Sequence, residues 1–153
     1  MTIRKQPHIV STIDITNEKG ETLLFRHTFQ PYLHLVGLPQ GRLHFEERVA
    51  QAAERELFEK TGLKDIPLTH RGIVYIYATK QGEDISRIVA NVFTGTVKDR
   101  PEVNSDERKG NAYWGKHSEL TPQECMPGFL EVKALLEGKP FFFAEIDCEM
   151  ATN

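Results

Sequence analysis

The sequence predicts an α/β (α+β) fold, a mixed β-sheet carrying two main helices within one domain, residues 1–153. Runs rich in β-branched residues lie on both sides of an uninterrupted Ala, Glu, Arg and Leu stretch at 46–60, and a second amphipathic stretch follows at 128–137. No internal repeat, low-complexity segment or linker divides the chain.

Each element has a local reason. Residues 8–16, His-Ile-Val-Ser-Thr-Ile-Asp-Ile-Thr, and 21–28 flank the turn-like Asn17-Glu18-Lys19-Gly20 and predict a hairpin. Pro31, Gly37 and Pro39 punctuate a loop or short strand at 30–40 that ends at Gly41, after which Leu43 and Phe45 alternate onto another short strand. From Glu46 to Lys60 no Gly or Pro intervenes, and Val49, Ala53 and Leu57 recur at i, i+4 and i+8, which predicts a helix that Gly62 stops. Residues 72–79 and 85–97 are strongly β-like, and Lys80-Gln-Gly-Glu-Asp84 joins them as a second hairpin. The polar stretch 99–110, with Pro101, Asn104 and Gly110, predicts a long surface loop of the kind that often carries function. Ala112-Tyr113-Trp114 predicts a short strand, and 128–137 a helix with Phe129, Val132, Leu135 and Leu136 inward, ended by Gly138 and Pro140. The expected order is β-β-β-α-β-β-β-α.

Composition excludes more than it names. The 19 basic and 22 acidic residues leave a formal charge of -3, with no block of like charge to serve a nucleic-acid arm or a membrane-surface patch. No run approaches the roughly 18 apolar residues of a membrane span, and Met1–His8 lacks the apolar core of a secretory signal. The expectation is therefore a cytoplasmic protein with no membrane or nucleic-acid partner. Cys125 and Cys148 match no zinc spacing and are expected to be inert thiols. The segment Gly37–Gly41 lacks the Gly-Lys-Ser/Thr ending of a phosphate-binding loop.

The chemistry lies in Gly41–Leu63. A glycine-bearing loop feeds a helix that presents Glu56 and Glu59 at i, i+3 on one face. Two carboxylates so placed, with a loop carbonyl and waters, suit a divalent ion that keeps room for phosphate oxygens, and the expected chemistry is hydrolysis at phosphorus. Gly41, five residues, Glu47, seven residues, then Arg55-Glu56-Leu57, Glu59, Gly62 and Leu63 resemble the Nudix box of hydrolases that cleave a nucleoside diphosphate linked to another group. Eight of nine signature positions agree. The departure is Lys60, which stands where the family has the last Glu of its Glu-Glu pair. Two smaller departures are His44, at a common Glu position, and Glu46, at a common Gly position.

The resemblance implies a Nudix-type α/β/α sandwich and a Mg²⁺- or Mn²⁺-dependent pyrophosphohydrolase. It implies Glu56, Glu59 and the Gly41 carbonyl as metal ligands, Arg55 as the residue that fixes helix and ligand carboxylate, and Glu47 as its support. Arg42, Lys60 and Arg87 are expected on the substrate, a small nucleoside diphosphate derivative; a homodimer is compatible with all of this. Arg87 earns its place because it shares a strand face with Val89, Asn91 and Phe93, where an interior guanidinium is unusual. Tyr32, Phe45, Tyr75, Tyr77 and Trp114 are available to stack a base, against the alternative that they are core.

Three readings of Lys60 stand open. It forms an ordinary i, i+4 pair with Glu56 and the metal site is gone; it reaches a substrate phosphate; or Glu46, Asp106 or Glu107 rebuilds a weaker site. The corresponding alternative to an enzyme is a catalytically impaired nucleotide-binding or regulatory module on the same fold.

Overall fold

A computed structural model describes residues 6–103 and 110–150. Its elements are β1 (His8–Asn17), β2 (Thr22–His27), β3 (Val36–Gly37), β4 (Gln40–Arg42), α1 (Val49–Thr61), β5 (Thr69–Lys80), β6 (Glu83–Val97), β7 (Gly110–Gly115), two single-turn 3-10 helices, α2 (Phe129–Gly138) and β8 (Phe142–Glu149). The strands form one mixed sheet in the order β3-β2-β1-β6-β5-β8, with β4 paired to β1 and β7 to β2.

The sheet is covered on both faces. Alternation along β1 sends Ile13 and Ile15 to one side, where they meet Ala53 and Leu57 of α1, Leu23 and Phe93. Val10 points to the other side, into a core with Val74, Val92, Phe129 and Val132 of α2. This is the expected α/β/α sandwich. A buried ion pair ties α2 to β1, since Lys133 Nζ donates to Asp14 Oδ1 at 3.0 Å and to Thr22 Oγ1 at 3.1 Å.

Several expectations are corrected. The first hairpin holds at its closed end, Thr16 opposite Thr22, whereas β1 runs parallel to β6 from His8 opposite Ile88 to Asn17 opposite Val97. The cause is burial of β1 on both faces, which makes it a central strand. The first helix begins at Val49 rather than Glu46. Arg48 is its extended N-cap, and its N–H donates to Gln51 Oε1 at 2.8 Å. An unforeseen strand, β8, pairs parallel with β5 from Gly72 opposite Phe142 to Thr79 opposite Glu149. The expected element order therefore lacked this last strand.

Candidate functional site

The site forms where the β4 loop meets the last turns of α1. Gly41 pairs with Ser11 of β1, and Ser11 Oγ donates to the Val49 carbonyl at 2.9 Å, fixing the start of α1 beside the strand. A Cβ at Gly41 would lie 2.0 Å from Glu56 Cδ, so glycine alone lets that carboxylate rest against the backbone. At the far end Gly62 caps α1 in the left-handed region, φ 82°, with its N–H on the Phe58 carbonyl.

Arg55 is the hub. Its Nε and Nη2 donate to both oxygens of Glu47 at 2.8 and 2.6 Å, Nη2 also reaches the Arg42 carbonyl at 2.9 Å, and Nη1 reaches Glu56 Oε1 at 2.6 Å and Glu59 Oε2 at 3.2 Å. The His44 N–H donates to Glu47 Oε1 at 2.8 Å. The guanidinium and this N–H hold the Glu47 carboxyl down at about 2, and the carboxylates raise Arg55 in return. Glu47, Arg55, Glu56, Glu59 and Gly41 are thus brought together as one cluster.

Within it Glu56 is exceptional. Its side chain is 7% exposed, Oε1 is taken by Arg55, and Oε2 is buried with no hydrogen-bond partner among the described residues. Lys60 Nζ faces that oxygen at 3.7 Å, beyond hydrogen-bond length, and lies 5.4 Å from the Phe25 ring centroid. Beyond this electrostatic pairing the oxygen accepts no hydrogen bond among the described residues, and a buried carboxylate oxygen left so is costly unless a further donor or cation completes it. Carboxylate oxygens beside a backbone carbonyl have the chemistry of a small hard cation's ligands, although among the described residues no three His, Cys, Asp or Glu side chains are arranged to hold a metal ion.

The other expected residues are dispersed. Arg42 contributes its carbonyl to Arg55, while its exposed side chain borders an open groove with His8, His44 and Phe45. Arg87 is exposed, 3.7 Å from Asp84 and stacked 5.3 Å from the Tyr77 centroid, which corrects the interior placement expected for it. It shares the expected sheet face, but α1 covers another part of that face. It also stands four residues along β6 from Asn91, the partner of Ser11, roughly 13 Å from that row. Glu46 is exposed, and Asp106 and Glu107 lie outside the described residues.

Of the aromatics, Phe45 is 99% exposed, Tyr75 and Tyr77 lie half-buried on the sheet face turned away from α2, and Trp114 donates Nε1–H to the Pro101 carbonyl at 2.9 Å. Tyr32 alone lines a narrow cleft between sheet and α2, with Thr12, Gln40, Ile88, Met126 and Phe129. The cleft is adjacent to Gly41 through Gln40, whose Oε1 accepts from Thr12 Oγ1 at 3.0 Å. Nothing in the local pattern separated Met126 and Phe129 from ordinary core. His27, held down at about 4 by burial and then by the Lys60 charge, was equally unmarked. Burial pushes the Cys125 and Cys148 thiols up to about 11 and 12.

Comparison with known proteins gives the family and the fold. The family profile described as NUDIX domain matches residues 5–131. No curated protein sequence matches. The fold is similar to the NUDIX domain of Shewanella oneidensis NrtR complexed with ADP ribose, at TM-score 0.71 and 16% identity, over 88% of each chain. It is also similar to the mutator MutT protein from Bacillus halodurans, at TM-score 0.70 and 18% identity, over 92% of this chain and 89% of that one. A third likeness is to a bifunctional NMN adenylyltransferase/ADP ribose pyrophosphatase from Francisella tularensis complexed with AMP and a Mn ion. Its TM-score is 0.67 with 21% identity, over 89% of this chain and 43% of that one. Among the described residues no helix is long and apolar enough to cross a membrane.

Proposed function

The chain belongs to the Nudix family, and from that premise we propose that it hydrolyses the pyrophosphate bond of a small nucleoside diphosphate derivative with Mg²⁺ or Mn²⁺. The observation that carries this reading is the buried Glu56 Oε2, set against Gly41 and accepting no hydrogen bond among the described residues. Glu56, Glu59 and the Gly41 carbonyl would hold the ion. When bound, it supplies Lewis-acid polarisation of a phosphoryl oxygen and a more acidic water.

The chain's own residues prepare the site. Glu47 and the His44 N–H lock Arg55, and Arg55 locks Glu56 Oε1 and Glu59, so the carboxylates are oriented before any ligand arrives. Glu47 stays ionised throughout the ordinary pH range, which keeps this frame intact. The cleft at Tyr32, Gln40, Met126 and Phe129 offers an apolar seat for the nucleoside beside the phosphate site. Its free space is about 30 Å³, roughly the share of one liquid water, so a base would enter only if its walls part. ADP ribose, named with two of the similar structures, is the first substrate to try.

A second reading has its own observation. Lys60 places an ammonium 3.7 Å from the oxygen that the ion would need, which favours a nucleotide-binding module without turnover. Product release from ADP ribose and other nucleoside diphosphate derivatives in Mg²⁺ or Mn²⁺, with Glu56→Gln as control, separates the two. Turnover lost in Glu56→Gln supports the hydrolase; ligand binding with no turnover in wild type supports the module.

A further inference from the structure

The Lys60 ammonium is incompletely partnered. Its neighbour Glu56 Oε2 is at 3.7 Å, so the pair is electrostatic without a hydrogen bond, and Glu56 already shares its charge with Arg55 through Oε1 at 2.6 Å. No hydrogen bond from Nζ is formed among the described residues, and the side chain retains 21% exposure.

The Phe25 ring holds it. Nζ sits 5.4 Å from the ring centroid, a favourable seat for a cation. Phe25 is itself 2% exposed and is backed by Gly110, where a Cβ would come within 2.3 Å of the ring. The ammonium thus sits between the ring and the carboxylate cluster with no hydrogen-bond acceptor among the described residues. A diphosphate supplies what is missing, namely acceptor oxygens and negative charge.

We propose that Lys60 binds the diphosphate of the ligand directly, so that this chain captures a nucleoside diphosphate derivative without a divalent ion. The proposal rests on the reading that the site takes such a ligand, and it deepens that reading by assigning the phosphate contact to a residue of the chain. Metal then serves turnover and is dispensable for capture.

The test is equilibrium binding of the non-hydrolysable α,β-methylene analogue of ADP ribose to the full chain by calorimetry, in EDTA and in Mn²⁺, with ³¹P spectra of the ligand in EDTA. Wild type should bind in EDTA and shift the phosphorus resonances. Lys60→Gln should weaken binding in EDTA about ten- to a hundredfold, the loss of one charge-assisted hydrogen bond, and abolish the shift. Lys60→Arg should retain both, and Lys60→Glu should bind in Mn²⁺ alone. Circular dichroism of each variant separates lost contact from lost fold, and the wild-type ³¹P shift stands independently of any variant. Wild-type binding in Mn²⁺ only, or equal affinities of wild type and Lys60→Gln in EDTA, would overturn the proposal and leave the nucleotide reading standing. Absence of binding in both media, for the analogue and for a panel of nucleoside diphosphates, would overturn both.

Discussion

Replacing Lys60 alters the charge next to the proposed metal seat, and the structure sets the size of the effect. An ion ligated by Glu56 Oε2 at about 2.1 Å lies within about 6 Å of Nζ, because Nζ is 3.7 Å from that oxygen. At about 6 Å a divalent and a monovalent cation repel by about 1.4 kcal/mol even with the dielectric of bulk water, and by about 5.5 kcal/mol at an effective value near 20. Lys60→Gln removes the repulsion, so Mn²⁺ should bind at least about tenfold more tightly. Lys60→Glu adds an attraction of similar size and a further carboxylate, for a gain of at least about a hundredfold. The assay is titration of free Mn²⁺ by electron paramagnetic resonance at low ionic strength, with Glu56→Gln in each background. Equal Mn²⁺ affinity in wild type, Lys60→Gln and Lys60→Glu would refute the electrostatic reasoning. A gain that survives Glu56→Gln would place the ion elsewhere.

Three further outcomes follow from other parts of the molecule. Gly41→Ala puts a methyl group where the Glu56 carboxylate lies; shifting that group by about 1 Å should reduce turnover roughly a hundredfold, and unchanged kinetics would contradict the close approach. Lys133→Ala leaves Asp14 buried without its ammonium and should cost about 3–5 kcal/mol in urea unfolding, with a loss below about 1 kcal/mol counting against the pair. Acid should act in two windows. His27, held at about 4 against 6.5, is protonated more readily in the unfolded chain, so its stability is intact above pH 6.5 and declines as pH falls toward 4, by at most about 3 kcal/mol. Glu21 and Glu47, both held at about 2 by Arg100 and Arg55, lose their contribution below that window, as pH falls from 4.5 toward 2. Unfolding of His27→Phe should be flat between pH 6.5 and 4 relative to wild type; an unchanged slope would mean that His27 is not the titrating group.

The cluster was legible in the sequence because its members lie on one loop and one helix. Spacing alone brings Glu56 and Glu59 to neighbouring positions, and the Nudix box brought Gly41, Glu47 and Arg55 to them. Its atomic detail was not legible, because the orphaned oxygen of Glu56 depends on which oxygen Arg55 takes. Long-range pairing was less visible. β8 alternates Phe142, Ala144, Ile146 and Cys148 inward against Phe143, Glu145, Asp147 and Glu149, a period-2 signal that was present but overshadowed by the Gly138 and Pro140 stop before it. The hairpin reading of 8–16 and 21–28 followed a sound turn signal, yet the partner that dominates β1 is β6, some eighty residues away. Arg87 was misjudged because strand periodicity gives the face of a residue and not whether a helix covers that part of the sheet. The cleft at Tyr32, Gln40 and Phe129 joins segments far apart in the chain, from Thr12 to Val132, which no local pattern could assemble.

The central claim is that Glu56 anchors a cation-dependent hydrolytic site on this fold. Its most direct test is AMP release from ADP ribose in Mn²⁺ by wild type and Glu56→Gln, at matched fold content. Wild-type turnover that falls at least a hundredfold in Glu56→Gln is the predicted result. Turnover indifferent to Glu56→Gln would contradict the claim.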